Sequence, residues 1–272
     1  MSVLSRLGTG FRLAGQSASV LRHNPGLTIY PLVGGLAMAV FVLTAVGGFV
    51  AVGGTESLPV TAAILFAVYV GTSFLASFSI AALSWAARET FDGRDPTVGG
   101  AFRAAAGHLP ALLGWAVLSA LVGLLLRAIE ESSDLAGTIV AAVLSLGWAA
   151  LTYFVVPVIV FEDAGPTTMI QDSARLVRET WGESLGSEFG VGIVSFLLAL
   201  PGIALVVGVL VLSPGETLLF VGVAVGGLVL AAGVLAGYTL GAIAKVALYT
   251  FARDGAAPAE FDEAILDYGP GR

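Results

Sequence analysis

The chain has 272 residues, of which 57% are hydrophobic and 11% are charged, and its mean hydropathy is +0.95. A water-soluble domain usually carries about a quarter charged residues, so this composition excludes a soluble enzyme, a nucleic-acid-binding protein and a disordered chain. The net charge of −7 argues against a polybasic surface for lipid or nucleic acid. Long apolar runs recur along the whole chain and indicate an all-α membrane protein with several spans.

The chain begins with a predicted amphipathic helix ahead of the first span. Its apolar positions recur at helical spacing and include Leu7, Phe11 and Ala14, while its other face carries Arg6 and Arg12. Residues 173–181 resemble residues 17–25 of this segment, and a weaker copy covers residues 102–110. Such helices are expected to lie flat in the cytoplasmic headgroup region. The same faces would also serve as a docking surface for a partner protein.

Six apolar runs are long enough to cross about 30 Å of hydrocarbon, which takes roughly 20 helical residues. The predicted spans cover residues 27–53, 60–86, 109–128, 136–160, 188–212 and 217–248. The links after the first, third and fifth spans are very short, so the spans are predicted to form three helical hairpins.

Arginine and lysine lie almost entirely on one side of these spans. Eleven of the twelve basic residues fall in the N-terminal segment, the links after the second and fourth spans, and the C-terminal tail. Only Arg127 falls on the other side. Short loops rich in arginine and lysine stay in the cytoplasm, so we expect a multi-pass protein of the cell membrane with both termini in the cytoplasm.

Each even-numbered span ends in a similar turn that begins at an aromatic residue. Phe91, Phe161 and Phe251 are each followed by an acidic residue, a glycine and then a proline, which is typical of a helix stop. With the amphipathic segments, these turns predict one integral membrane domain over 1–272 that contains three repeats. The repeats cover residues 1–97, 98–167 and 168–258, and an acidic tail follows over 259–272. Repeats are common in transport proteins. A helical bundle with any other function can also arise by duplication of one unit, so the repeat alone does not indicate transport.

Residues that carry common catalytic or metal chemistry are scarce. The chain has no cysteine, and no Asp, Glu, Lys or Arg lies in the middle of a predicted span. His23 and His108 are too few for a metal site. We therefore expect no enzymatic activity, no cofactor and no metal. The absence of carboxylates inside the spans also argues against proton- or sodium-coupled transport.

Glycines recur every four residues in two series. They are Gly182, Gly186 and Gly190 before and in span five, and Gly233, Gly237 and Gly241 in span six. Small residues at this spacing let helix backbones approach closely. They predict packing within the chain or, alternatively, contact in a homo-oligomer.

Hydroxyl and proline residues mark two further features of the spans. Ser73, Ser77 and Ser84 form a candidate polar stripe on span two. These hydroxyls would join helices, line a polar path, or bond to carbonyls of their own helix, which is the commonest arrangement. Pro157 and Pro201 are predicted to kink spans four and five.

Four short segments carry a resemblance to known sequences: RHNPG at 22–26, VPVIVFED at 156–163, the helix at 173–182, and VALY at 246–249. They resemble an uncharacterised family of six-span membrane proteins that is common in haloarchaea and also found in bacteria. More distantly, the chain is similar to the membrane domain attached to some glycerophosphodiester phosphodiesterases, whose catalytic barrel it lacks. The resemblance implies a fold, but no activity and no site residues.

The eleven arginines against one lysine, Lys245, together with the acidic net charge, are typical of a halophile. A GC-rich genome produces the same bias toward arginine.

Two functions fit these observations. The first is a non-catalytic membrane protein that acts by organising the bilayer or through partner proteins, with the cytoplasmic helices or a second copy as candidate contacts. The alternative is a transporter or channel for a small solute. A water-filled vestibule that reaches the middle of the membrane would favour transport, and a closed bundle would favour the first function.

The bias of arginine and lysine predicts which loops face outward. Single cysteines at Glu56, Asp134 and Glu216 should react with an impermeant thiol reagent added outside cells, whereas cysteines at Asp95, Gly165 and Gly255 should not. The chain has no native cysteine to interfere with labelling. Labelling of the Gly165 position from outside would contradict this topology.

Overall fold

The computed structural model describes residues 3–51, 57–132, 135–165, 168–212 and 215–266. Within these ranges every regular element is helical. The helices are α1 (Val3–His23), α2 (Ile29–Ala51), α3 (Leu58–Phe91), α4 (Val98–Gly107), α5 (Leu109–Ser132), α6 (Leu135–Leu151), α7 (Val155–Glu162), α8 (Met169–Leu212), α9 (Glu216–Asp254) and α10 (Glu263–Leu266). A short 3-10 turn, Pro25–Thr28, precedes α2.

Six helical segments are long and apolar enough to cross a membrane, which confirms the predicted number and makes the chain a multi-pass membrane protein. They are Pro25–Ala51, Pro59–Phe91, Leu109–Glu131, Gly137–Glu162, Val191–Leu212 and Glu216–Asp254. The second and sixth continue a few residues beyond the predicted ends. Residues such as Arg88 and Arg253 lie in these last turns, where long cationic side chains can reach the headgroups.

The three amphipathic segments join their spans in different ways. The 3-10 turn at Pro25 separates α1 from α2, and a break at His108 separates α4 from α5. In contrast, the third segment continues without interruption into the fifth span as the single helix α8. Proline lacks the backbone N–H that a continuing helix needs, and Pro25 and Pro110 lie at the first two junctions. Trp181 and Gly182 lie at the third junction and keep this group, so the helix can continue there.

Each helix that closes a predicted hairpin ends on a residue with a left-handed backbone. These residues are Gly93 (φ 71°), Asp163 (φ 51°) and Gly255 (φ 69°), after α3, α7 and α9. In the second turn this role belongs to Asp163 and not to Gly165, because Asp is among the few side chains that tolerate this conformation.

The chain divides into two compact units. Unit 1 contains Met1–Ile29, Ala87–Arg94 and Glu179–Arg272, and unit 2 contains Tyr30–Ala86 and Asp95–Arg178.

In unit 1, α1 packs against α9 and also contacts the 3-10 turn and α10. Its buried residues include Leu13, Ala14 and Val20, which lie on one face of the helix. Phe11 of the predicted apolar stripe is 43% exposed, and the side chain of Leu7 lies outside the described residues. The face of α1 that meets the protein is therefore rotated from the centre of the predicted stripe.

Side chains also fasten the end of α3 within unit 1. The Arg88 guanidinium lies 2.8 Å from the Asp254 carboxylate and 3.3 Å from the Thr250 hydroxyl, both at the end of α9. The ring of Phe91 meets the ring of Phe261 edge-on, with centroids 5.6 Å apart. These contacts join the first turn motif to the third and to the C-terminal segment.

In unit 2, α5 packs against α6 and α7. On α4, the Phe102 ring stacks on Phe78 of α3 at 6.0 Å and meets Tyr30 of α2 edge-on at 5.6 Å. The Ser79 hydroxyl donates a buried hydrogen bond of 2.7 Å to the Tyr30 carbonyl. Aromatic contacts and one hydroxyl therefore hold the second amphipathic segment and the first hairpin together.

The fourth span is interrupted between α6 and α7. Ser173 of α8 bridges the gap, because its hydroxyl donates to the Leu151 carbonyl at 2.8 Å and accepts from the Phe154 N–H at 3.1 Å. Ser173 is fully buried. A backbone break at membrane depth is tolerated only where its polar groups find partners inside the protein, and one serine provides both here.

Candidate functional site

A groove of about 720 Å³ opens between α3, α5 and α6 in unit 2. Its lining residues are Tyr69, Gly123, Leu126, Arg127, Glu130, Glu131, Thr138, Ala141, Ala142 and Ser145. The volume falls in the range of ordinary small-molecule sites. The groove brings the one basic residue of the predicted outer side together with two carboxylates, three hydroxyls and small residues.

Arg127 lies at the rim of this groove, in the last turns of α5. Its Nε donates to the Glu131 carboxylate at 2.8 Å, and its guanidinium also donates to the Tyr69 hydroxyl at 3.3 Å. The side chains of Arg127 and Glu131 are 60% and 64% exposed. An ion pair at this exposure contributes little to stability, so the pair orients the guanidinium more than it holds the fold.

Beneath the rim, the groove is lined by Leu126, by small residues and by the hydroxyls of Thr138 and Ser145. Gly123 and Ala142 leave room between α5 and α6, and a Cβ on Gly123 would lie 3.9 Å from the Tyr69 ring. Further along the two helices, Trp115 and Trp148 stack with centroids 5.8 Å apart and an interplanar angle of 16°. Trp148 lies three residues beyond Ser145, the last lining residue along α6, so two large side chains stand between the groove and the far end of the hairpin.

The sixth-span glycines lie against α8. A Cβ on Gly233 would collide with the Leu198 carbonyl, and one on Gly237 would lie 2.6 Å from the Ser195 Cβ. At Gly241 the nearest atom would be a Val191 methyl at 3.8 Å, an ordinary contact. Among these three glycines, the two helices therefore approach most closely at Gly233 and Gly237. Gly182, Gly186 and Gly190 fall within α8, but the packing of residues 179–190 lies outside what the structure describes.

Several close glycine contacts lie outside the predicted series. Gly202 and Gly226 extend the contact between α8 and α9, where added Cβ atoms would meet Leu230 and Val206. Gly34 of α2 would likewise meet Ser79. Gly222 and Gly226 repeat the four-residue spacing, and this was the available sequence signal. Gly34 is isolated and carried no such pattern.

The hydroxyls of α3 have several surroundings. Ser77 and Ser84 of the candidate stripe are buried, and Ser73 is half-buried. The Thr72 hydroxyl donates to the Val68 carbonyl of its own helix at 2.8 Å. Ser79, which the candidate stripe did not include, joins α3 to α2.

Neither proline interrupts its helix at its own position. Pro157 is the third residue of α7, two residues after the helix begins, and the break lies just before it. Pro201 lies inside α8, which continues to Leu212. The size of any bend stays a prediction.

The two histidines have different partners. His23 Nδ1 lies 2.8 Å from the Ser19 carbonyl, whereas His108 Nδ1 lies 3.3 Å from the Asp163 carboxylate. Over the described part of the chain, no group of three His, Cys, Asp or Glu residues is arranged to hold a metal ion.

The contact between α8 and α9 predicts that glycine positions along α9 differ in how well they tolerate an added side chain. Gly233→Ala and Gly237→Leu should lower the melting temperature in detergent, because the neighbouring backbone cannot yield; overpacking of this kind costs about 1–3 kcal/mol. Gly227→Ala is the matched control, since a Cβ there would meet open space. Equal losses in all three variants would contradict the close contact. A change in oligomeric state at an unchanged melting temperature would instead favour the homo-oligomer interpretation.

Comparison with known proteins gives a family and no function. No curated protein and no solved structure matches the chain. Residues 59–259, which include α3 to α9, match the family of unknown function DUF6159. The matched range covers both the groove and the glycine contact. The chain, with its six apolar helical segments, therefore belongs to this family of unknown function.

Proposed function

We propose that the chain is a non-catalytic integral membrane protein that acts by organising lipid around its exposed spans. One observation carries this proposal. In the most apolar part of each span at most 22% of the residues are buried, and in the first span none are. Side chains such as Leu43 (72% exposed), Leu146 (69%) and Phe220 (77%) face outward. Apolar surface on this scale needs a cover, and in a membrane that cover is lipid or another protein.

The buried residues lie toward one end of the spans. Within unit 2 they include Leu83 and Ala86 of α3 and Val155 to Val160 of α7, all near the predicted cytoplasmic ends. Within unit 1 they include Ile243, Ala244 and residues 246–249 of α9. Within each unit the helices are thus packed near the ends that carry the turns, and their other halves expose apolar surface. This arrangement suits contact with lipid better than enclosure of a path.

The alternative is a transporter or channel, and the groove at Arg127 is the observation that favours it. The groove enters α6 as far as Ser145, eight residues into the span that begins at Gly137, or roughly 12 Å along the helix. The Trp115–Trp148 stack lies beyond it. We prefer the lipid interpretation, since the aromatic pair lies where a path through the hairpin would have to continue.

Several finer features belong to the same proposal. The three hairpins are repeats of one unit, both termini lie in the cytoplasm, and the amphipathic segments lie at the cytoplasmic interface. The left-handed residues that end α3, α7 and α9 support the repeat, and the exposed ring of Phe11 supports an interfacial position for α1. A protein partner at these segments and a homo-oligomer are further proposals. The halophilic source and the likeness to the phosphodiesterase membrane domain stay predictions from the sequence.

Spin labels can distinguish lipid, water and protein as the cover of the spans. Single cysteines at Leu36, Val40 and Leu43 of α2, and at Ser145 in the groove, would carry the label in reconstituted vesicles. We expect all four labels to be relaxed by oxygen, which enters the hydrocarbon, and not by a water-soluble nickel complex. A label at Asp95, an exposed turn residue, is the water-accessible control.

Two results would contradict the proposal. If nickel relaxes the Ser145 label as strongly as the Asp95 label, the groove is an aqueous vestibule and transport becomes the better interpretation. If neither reagent reaches the α2 positions, protein covers this surface, and a partner or a second copy replaces lipid.

A further inference from the structure

We infer that the groove between α3, α5 and α6 is a binding site for one phospholipid with a zwitterionic headgroup. The phosphate would lie at Arg127 and Tyr69, the ammonium at Glu130 and Glu131, and an acyl chain along the groove floor. This inference rests on the proposed function, in which lipid is the partner of the protein, and it names the site and the headgroup.

The guanidinium and phenol at the rim suit a phosphate. Arg127 uses one N–H toward Glu131 and another toward Tyr69, and a guanidinium has five such donors. Tyr69 accepts a hydrogen bond from Arg127, so its own hydroxyl proton remains to be donated. The Arg127 guanidinium and the Tyr69 hydroxyl can therefore both donate hydrogen bonds to the oxygens of one phosphate.

The carboxylates at the rim determine which chemical group should follow the phosphate in the headgroup. Glu130 and Glu131 both line the groove beside Arg127, so the rim carries one positive and two negative charges. A phosphate followed by an ammonium places its cation where these carboxylates can receive it. An anionic headgroup such as phosphatidylglycerol brings no cation and adds to the repulsion. The charge pattern therefore favours the zwitterion.

The depth of the groove suits the tail of a lipid. Glu131 is the last residue of the third membrane span, so the rim lies at the level of the headgroups. From Arg127 to Trp115 the α5 helix rises roughly 18 Å, which is close to half of a hydrocarbon layer about 30 Å thick. Gly123, Ala141 and Ala142 line this stretch with little side-chain bulk. A single acyl chain would fill it and end near the tryptophan pair.

The site can be tested by measuring lipid bound to the intact protein by native mass spectrometry. The protein in detergent would be titrated with phosphatidylethanolamine or phosphatidylglycerol of the same acyl chains. We expect one phosphatidylethanolamine to remain bound preferentially. Arg127→Gln should weaken its binding about tenfold, the usual effect of losing a charge-assisted hydrogen bond. Arg103→Gln is the control, since Arg103 is exposed on α4 and does not line the groove.

Two further variants separate the headgroup from the chain. Glu130→Gln with Glu131→Gln should reverse the preference toward phosphatidylglycerol, because the rim then carries a net positive charge. Ala142→Trp fills the groove from an exposed position and should reduce binding of both lipids while the headgroup residues remain. Phosphoethanolamine, which lacks acyl chains, should not displace the bound lipid at equal concentration.

Equal retention of phosphatidylethanolamine by the parent, Arg127→Gln and Ala142→Trp would overturn the inference. Displacement by phosphoethanolamine would also overturn it, and would make the groove a site for a soluble headgroup. Neither result depends on the spin-label accessibility of α2, so the lipid site can fail while the broader proposal of lipid-covered spans stands.

Discussion

Hydrocarbon offers no hydrogen bonds to a polypeptide backbone, and this constraint governs the structure of the chain. Every unpaired N–H or C=O group inside the membrane costs several kcal/mol, so the described spans are helices. The exception is the gap between α6 and α7, where Ser173 supplies both an acceptor and a donor. The amphipathic part of α8 therefore does more than approach the preceding span, because it completes the backbone pairing of that span.

Close contact between the spans depends on small residues and hydroxyls, because the spans lack a hydrophobic driving force for association. Lipid tails are as apolar as leucine, so burial of apolar side chains does not by itself drive membrane helices together. Along α8 and α9 the glycines at 202, 226, 233 and 237 allow near contact of the backbones, and Ser195 adds a hydroxyl 3.1 Å from the Gly237 carbonyl. Dispersion contacts and this hydroxyl replace the hydrophobic effect at that interface.

Composition predicted the spans well because membrane insertion depends on the sum of apolar residues over about 20 positions. Pro25 and Pro110 lie beside the junctions at which α1 and α4 end, since the effect of a missing N–H is local. The continuation of α8 through Trp181 was not predicted, and the kink predicted at Pro157 did not include the gap that precedes this residue. Both depend on contacts between distant segments. In the sequence alone, Ser173 cannot be distinguished from any other helical serine, because its contact with Leu151 forms only in the folded chain.

The groove was also beyond sequence reasoning. The sequence identifies Arg127 as the single basic residue on its side, but its contact with Tyr69, 58 positions away, exists only in the folded chain. Its lining combines three helices, and only Arg127 and the two glutamates carry an obvious chemical signal. The chemistry of the site thus comes from tertiary packing, whereas its position at a span end follows from the cost of placing charge deeper in the membrane.

Amide hydrogen exchange at Phe154 tests the central claim that Ser173 completes the fourth span. In vesicles the Phe154 amide should be strongly protected in the parent protein, and Ser173→Ala should increase its exchange rate by at least tenfold because a buried hydrogen bond is lost. Protection of Gly202 in α8 should not change. Equal exchange at Phe154 in the parent and in Ser173→Ala would contradict the account, since another group would then be satisfying the broken helix.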